Sequence, residues 1–261
     1  MNQYKAYTYP NPALKKNNSS LAGSPYVSLL NDALKKYLTI VNQSKPTKYG
    51  LIDVLKYIFR IDCIFFNWIE DLPDKKGGYF QSLLLIFILN YLKARKKKII
   101  WIMHNKLSHH KTNFRLKKFF FGLMLKKSDV IITHAREGIE YANMLLPGLG
   151  EKIHFTHHPM MKSATNSEGS FKYKYDIIIW GKIMPYKGID RFLKYLKDNS
   201  LHEKYKIYIG GSIFPDEYVS EIMQYASSYI TIENRFLSED ELKQRISESK
   251  IILFTYNKDS I

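Results

Sequence analysis

The segment DIIIWGKIMPYKGIDRFLKYLKD, residues 176–198, sets two lysines across a short loop between an apolar run and an amphipathic helical pattern. Gly181 ends the run and lets the backbone turn, and Gly188 opens the helical stretch that reaches Lys197. Helix N-terminal amides and their dipole attract anions. Lys182 and Lys187 would place two full positive charges beside them, an arrangement that suits a diphosphate. A surface turn in a lysine-rich chain explains the same spacing equally well. The loop is neither a Walker A sequence, since Gly-Lys is not followed by Ser or Thr, nor a Gly-x-Gly-x-x-Gly fingerprint.

Other residues invite the same question. His104 ends the strand-like KIIWIMH and is followed by Asn105; at such a strand end an imidazole can donate or accept a hydrogen bond to a ligand, or simply cap the strand. Arg235, in ENRFL, either approaches a nucleotide or lies on the surface. His109 and His110 in LSHHK, and His154, His157 and His158 in HFTHHP, do not place three ligands on one element, and no cysteine or carboxylate completes a set, so no metal is expected. In LSEDEL, Ser238 with Glu241 three residues later is a helix capping box. The single cysteine, Cys63, excludes an intrachain disulfide, fits a reducing compartment and reads as a core thiol.

The elements that must position these groups alternate along the chain. Strand-like runs at 4–9, 62–68, 98–103, 129–133 and KIHFTH are separated by helical patterns. One is PYVSLLNDALKKY, with Val27, Leu30, Ala33, Leu34 and Tyr37 on one face; others are LIDVLKYIF, 79–95, 112–126 and 136–145. Residues 162–174 lose apolar periodicity and read as a linker, after which the rhythm restarts: strand 176–180, helix 188–198, strand KIYIGG, helix 216–228, strand ITIEN, helix 238–248, strand IILFTY. The expected class is α/β: two Rossmann-like domains, at 1–162 and 175–261 joined by a linker at 163–174, with a ligand beyond the carboxyl ends of the strands. The second domain reads as incomplete, since the sequence stops just after a strand.

Charge is unevenly spread. The net charge is +16, and residues 1–170 carry 26 Lys and Arg against 11 Asp and Glu. That field favours phosphate-rich partners: nucleic acid, anionic lipid or a phosphorylated substrate. The stretch 109–127 is expected to form a basic amphipathic helix, with Phe114, Phe121 and Leu125 inward and Arg115, Lys117, Lys118, Lys126 and Lys127 solvated, a form that suits both a core helix and an anionic membrane surface. The run LLLIFILNYL at 83–92 is too short to span a bilayer and reads as a buried helix. MNQYKAYTYPNP shows no secretory leader.

GKIMPYKGID resembles the Gly-[Arg/Lys]-x4-Lys-Gly element of GT-B-fold glycosyltransferases, family 4 in particular, and SPYVSLLNDAL, FFNWIED, WIMHNKLSHH, SDVIITHAREGIEYA, KIHFTHHP, YIGGSI and ENRFLSEDELKQRISESKIILFTYNK agree with that family in order. The resemblance implies that Gly181, Lys182, Lys187 and Gly188 hold the donor diphosphate, with Arg235 near the nucleotide and His104 near the transferred sugar. It makes Asn105 and His109 possible donor or acceptor contacts and puts Gly23 and Ser24 in a loop facing donor phosphates and acceptor. It implies sugar transfer from a nucleotide diphosphate to a glycan or lipid-linked acceptor, with retention, no metal and no cofactor besides the nucleotide-sugar substrate. The absence of an Asp-x-Asp pair agrees with metal independence. The family's glutamate pair, eight positions apart, lies beyond the strand IILFTY, so the chain reads as C-terminally truncated. A cytoplasmic enzyme, peripheral on the inner face of the plasma membrane, is expected. The alternative is a non-catalytic remnant that binds membrane or RNA through its basic surface; with no RRM or KH signature, no nucleic-acid partner is expected.

Overall fold

In a computed structural model of the protein, the described residues are 3–11, 25–104, 112–158 and 173–256. Gly23, Ser24, Asn105, His109 and nearly all of the expected linker lie outside them. The described residues divide into two compact units, 3–11 with 25–158, and 173–256.

Near-continuous apolar runs form the strands of the first unit because both faces of the sheet are covered. The order of elements is β1 (Lys5–Tyr9), α1 (Pro25–Leu34), β2 (Thr39–Ile40), α2 (Ile52–Leu55), β3 (Cys63–Asn67), α3 (Gly78–Ala94), β4 (Lys98–Met103), α4 (Phe114–Lys127), β5 (Val130–Thr133), α5 (Arg136–Leu145) and β6 (Ile153–Phe155). All pairings are parallel, in the order β2-β1-β3-β4-β5-β6. Alternation along each strand divides the core. Tyr7, Ile64, Phe66, Ile99, Trp101 and Ile131 pack with residues of α2 to α5, while Ala6, Cys63, Phe65, Ile100 and Ile102 pack with Tyr26 and Val27 of α1. Cys63 is buried as expected, and burial, then nearby Asp62, pushes its thiol up to about 11.

The second unit runs β7 (Tyr175–Trp180), α6 (Ile189–Asp198), β8 (Ile207–Gly210), α7 (Glu217–Met223), β9 (Ile230–Glu233), α8 (Glu239–Ser247) and β10 (Ser249–Ile252). Its parallel sheet has the order β10-β7-β8-β9. Residues of α6 and α7 pack with Ile179, Ile207 and Ile209 on one face, and Leu242 and Ile246 of α8 with Tyr175, Ile178 and Tyr208 on the other. Ser238 caps α8 in the expected box with Glu241.

Several local expectations need correction. Helix α1 ends at Leu34, so Tyr37 is exposed and Ala33 faces solvent. The stretch LIDVLKYIF yields only the single helical turn of α2, and the strand expected at IILFTY is shifted to Ser249–Ile252. Helix α3 is not buried all round: Leu85, Ile88, Leu89 and Leu92 are in the core, but Tyr79, Phe80, Leu83 and Phe87 are 60–69% exposed. On α4, Phe121 and Leu125 point inward, whereas Phe114 is exposed and Lys117 is only 1% exposed. Lys117 sits beneath the 3-10 turn Ile69–Asp74 and pairs with Asp74, an arrangement that hydropathy patterning cannot anticipate.

Losing a hydrogen bond to a charged group costs about 1.5–3 kcal/mol. Asp74→Ala, which takes one partner from the buried Lys117 ammonium, is therefore expected to destabilise the protein by roughly 2 kcal/mol, and Lys117→Met, which removes the buried charge itself, by clearly less. Urea unfolding of the two variants checks this order; equal losses would contradict it.

Candidate functional site

The carboxyl ends of β3, β4, β5 and β6 bring together a group of rings in the first unit. Trp68 follows β3, His104 follows β4, His134 follows β5, and His158 lies just beyond β6. Trp68 stacks on His104 with centroids 4.3 Å apart and planes 13° apart. Tyr26 of α1 meets His104, His134 and His158 edge-on at 4.6, 5.2 and 5.4 Å. Trp68 has φ 47°, a left-handed conformation that costs a bulky residue of order 1 kcal/mol or more and persists only where packing over-determines it.

Hydrogen bonds fix the tautomers. Asn67 Nδ2 donates to the Tyr9 carbonyl at 3.2 Å, which turns Asn67 Oδ1 toward His104 Nε2, also 3.2 Å away. His104 Nε2 therefore carries the proton and Nδ1 is the acceptor nitrogen. His134 Nδ1 donates to the Thr156 carbonyl at 2.8 Å, so its Nε2 accepts from the Tyr26 hydroxyl at 2.7 Å. Burial, then the neighbouring His134 and His158, pushes His104 down to about 3, and the ring is a neutral imidazole at physiological pH. It can accept a hydrogen bond from a ligand hydroxyl without presenting a charge. Among the described residues, no three His, Cys, Asp or Glu side chains are arranged to hold a metal ion.

Of this cluster, sequence reasoning singles out His104 for a ligand, considers His158 only to set a metal aside, and misses Tyr26, Asn67, Trp68 and His134 as contributors. His134 carries the same signal as His104, a histidine one residue past a strand, within SDVIITH. A further missed group is Glu70, only 1% exposed and beside Trp101. Burial, then Asp71, raises it to about 8, so it is an uncharged acid at neutral pH.

In the second unit the opening loop also lies at strand ends. Gly181 follows β7 at φ 99°, and Gly211 follows β8 at φ 148°. The two backbones touch there: a Cβ on Gly211 would lie 1.9 Å from the Gly181 carbonyl oxygen. Pro185–Lys187 forms a 3-10 turn, and Gly188, at φ 67°, caps the N-terminus of α6. The turn folds Lys187 Nζ back over Gly181, 3.4 Å from where its Cβ would be. Lys182 Nζ lies over the Phe214 ring at 4.4 Å. Burial lowers the Lys187 pKa, a measure of how much an anion there would relieve. Among the described residues neither lysine has an acidic partner. Arg235 differs, because its guanidinium is held by Glu233 at 2.7 Å and Glu241 at 2.8 Å.

Both groups of residues border places where the chain changes direction across its sheet. From β1 it goes to β2 on one side and later to β3 on the other; from β7 it goes to β8 and β9, then returns to β10 on the opposite flank. Loops diverge at such switch points and leave a crevice for ligands. The loop after β7 and the segment after β10 flank the second one, where Trp180 meets Phe254 and Thr255 Oγ1 donates to the Lys187 carbonyl at 2.7 Å.

No family model matches the sequence, and no curated protein matches it either. Solved structures do. HepE of Anabaena, in complex with UDP and glucose, aligns at TM-score 0.61 and 10% identity over 97% of this chain and 74% of that one. An alpha-glucosyltransferase in complex with UDP aligns at 0.56 and 11% identity over 99% and 74%. UDP-N-acetylglucosamine 2-epimerase from Rickettsia bellii aligns at 0.51 and 14% identity over 96% and 73%. The protein thus has the mixed α/β, parallel-sheet fold of the GT-B glycosyltransferases.

The two perturbed groups act oppositely on stability. His104 titrates near 6.5 when unfolded and near 3 when folded, so stability falls as pH drops through that window, by about 2 kcal/mol at pH 5. Glu70 has a raised folded pKa, so its contribution is present at low pH and is lost as pH rises from about 4.5 through 8. His104→Asn is expected to flatten the acid limb of the Tm–pH profile, and Glu70→Gln the alkaline limb. Unchanged profiles would show that these groups are solvated.

Proposed function

We propose that the protein is a glycosyltransferase that moves a sugar from a nucleotide diphosphate to a hydroxyl acceptor, with the second unit holding the donor. The observation that carries this reading is the glycine-flanked loop with two carboxylate-free lysines, Lys182 and Lys187, at the switch point of a fold shared with UDP-binding enzymes. In the reaction the acceptor oxygen bonds to the anomeric carbon as the bond from that carbon to the β-phosphate oxygen breaks. The diphosphate leaves with the electron pair and takes up the hydroxyl proton. Charge accumulates on the β-phosphate in the transition state, so prepositioned ammonium groups and the amides of α6 lower the barrier. A neutral His104 hydrogen-bonds the sugar. No protein nucleophile or metal is invoked, which accords with the retaining, metal-independent chemistry that the family resemblance implies. The two units are read as acceptor-side and donor-side Rossmann-like domains. A glycan or lipid-linked acceptor and a peripheral position at the cytoplasmic face of a membrane belong to the same reading; no helix among the described residues is long and apolar enough to cross one.

Charge-assisted hydrogen bonds contribute about 1.5–3 kcal/mol each. Lys187→Ala and Lys182→Ala are therefore each expected to weaken UDP binding roughly tenfold or more, as read by calorimetric titration. Arg235→Ala, whose charge is already shared by two carboxylates, should weaken it less. Equal affinity in wild type and a Lys182→Ala/Lys187→Ala variant would overturn the diphosphate assignment and favour a non-catalytic basic binding protein.

A further inference from the structure

A feature without an assigned role lies at the switch point of the first unit. A cleft of about 870 Å³ opens beyond the ends of β1 and β3, with Tyr9, Trp68, Asp71 and Phe80 among its walls and Lys48, Lys75 and Lys76 at its edge. The three lysines are exposed and have no acidic partner among the described residues. Asp71, partly buried, sets a carboxylate in the cleft wall. Trp68, which lines the cleft, is the ring stacked on His104, and the cleft therefore adjoins the histidine cluster.

Phe80 links this cleft to a second feature. It is 60% exposed on α3, and Leu83 (69%) and Phe87 (60%) follow it at helical spacing on the same face, with Tyr79 (68%) beside it. Phe87 stacks on Tyr91 at 6.5 Å, and Tyr91 meets the exposed Phe59 at 5.6 Å. Contiguous apolar surface of this kind marks a docking site. Its occupant is indicated by charge: the stripe ends at a lysine-edged cleft, in the part of the chain that carries 26 basic against 11 acidic residues. Aromatic and aliphatic side chains that enter the boundary of a bilayer, next to lysines that meet its headgroups, are the two components of interfacial binding.

We propose that the exposed face of α3 docks on an anionic lipid surface and that the adjoining cleft receives the hydroxyl-bearing, anionic headgroup of an acceptor embedded in that surface. Lys48, Lys75 and Lys76 meet the negative charge, and the stripe from Phe80 to Phe87 contacts the acyl region. By sequence the stretch 109–127 suits a core helix or a membrane surface; in α4 Lys117, Phe121 and Leu125 are buried, and the membrane contact is assigned to α3 instead. The name acceptor rests on the transferase reading; the docking surface does not.

The test is sedimentation of the full chain with vesicles of phosphatidylcholine alone or with added phosphatidylglycerol, alongside UDP titration. Wild type is expected to bind only the phosphatidylglycerol vesicles, and less at high salt. Leu83→Ser/Phe87→Ser and Lys75→Gln/Lys76→Gln change exposed positions; each pair should reduce vesicle binding at least tenfold and leave UDP affinity and Tm unchanged. Absence of vesicle binding by wild type, or equal binding by wild type and both variants, would overturn the proposal even if UDP binds. Equal binding to both vesicle types would overturn its anionic part. Retention of a DNA duplex by wild type without vesicle binding would reassign the surface to nucleic acid. Vesicle binding that behaves as expected while UDP fails to bind would leave the surface standing and remove the transferase reading.

Discussion

In each sheet every strand runs the same way, and each unit therefore has one edge at which all the strands end. The features described here depend on that constraint. Carbonyls and side chains leaving β3, β4, β5 and β6 converge to give the Trp68, His104, His134 and His158 cluster, while β7, β8 and β10 give the Gly181, Gly211 and Lys187 arrangement. A parallel strand needs a helical crossover to return to its starting edge, so the helices cover both faces and the strands become nearly continuous apolar runs. Core packing and site placement follow from a single topological choice.

Within that frame the two sites are chemically distinct. The second-unit loop concentrates positive charge on closely approaching backbone, and the half-buried Lys187 gains more from an anion than the exposed Lys182 because water solvates it less. In the first-unit site Asn67 and Tyr26 hydrogen-bond His104 and His134, and burial keeps His104 unprotonated. A charged imidazole there would be both costly and indiscriminate. Glu70 extends the pattern, since it is buried among apolar groups and remains uncharged at neutral pH.

The fold is shared with sugar-nucleotide enzymes that include transferases and an epimerase, so overall shape does not choose the chemistry. The transferase reading comes from particular groups: lysines without carboxylate partners among the described residues, an uncharged histidine, and a separate cleft edged by lysines. The exposed aromatic stripe of α3 adds a surface that catalysis on a freely soluble sugar does not require.

Local pattern was enough for most elements, because apolar alternation and helical spacing reflect burial over a few residues at a time. It was enough also for the Gly181–Gly188 loop, the Ser238 cap and the position of His104 at a strand end, each of which is encoded in contiguous residues. What it could not supply were relations between distant segments. Lys117 looked solvated because its partner Asp74 is 43 positions earlier. The α3 run looked buried because hydropathy does not say which side of a helix another layer covers. Tyr26, Asn67 and His134 acquired roles only when parallel pairing set strand ends side by side. The sequence alone determined the α/β alternation and the basic loop; the tertiary structure decided which charges are paired, which rings are buried together and which apolar face is left uncovered, since those depend on contacts between residues far apart in the chain.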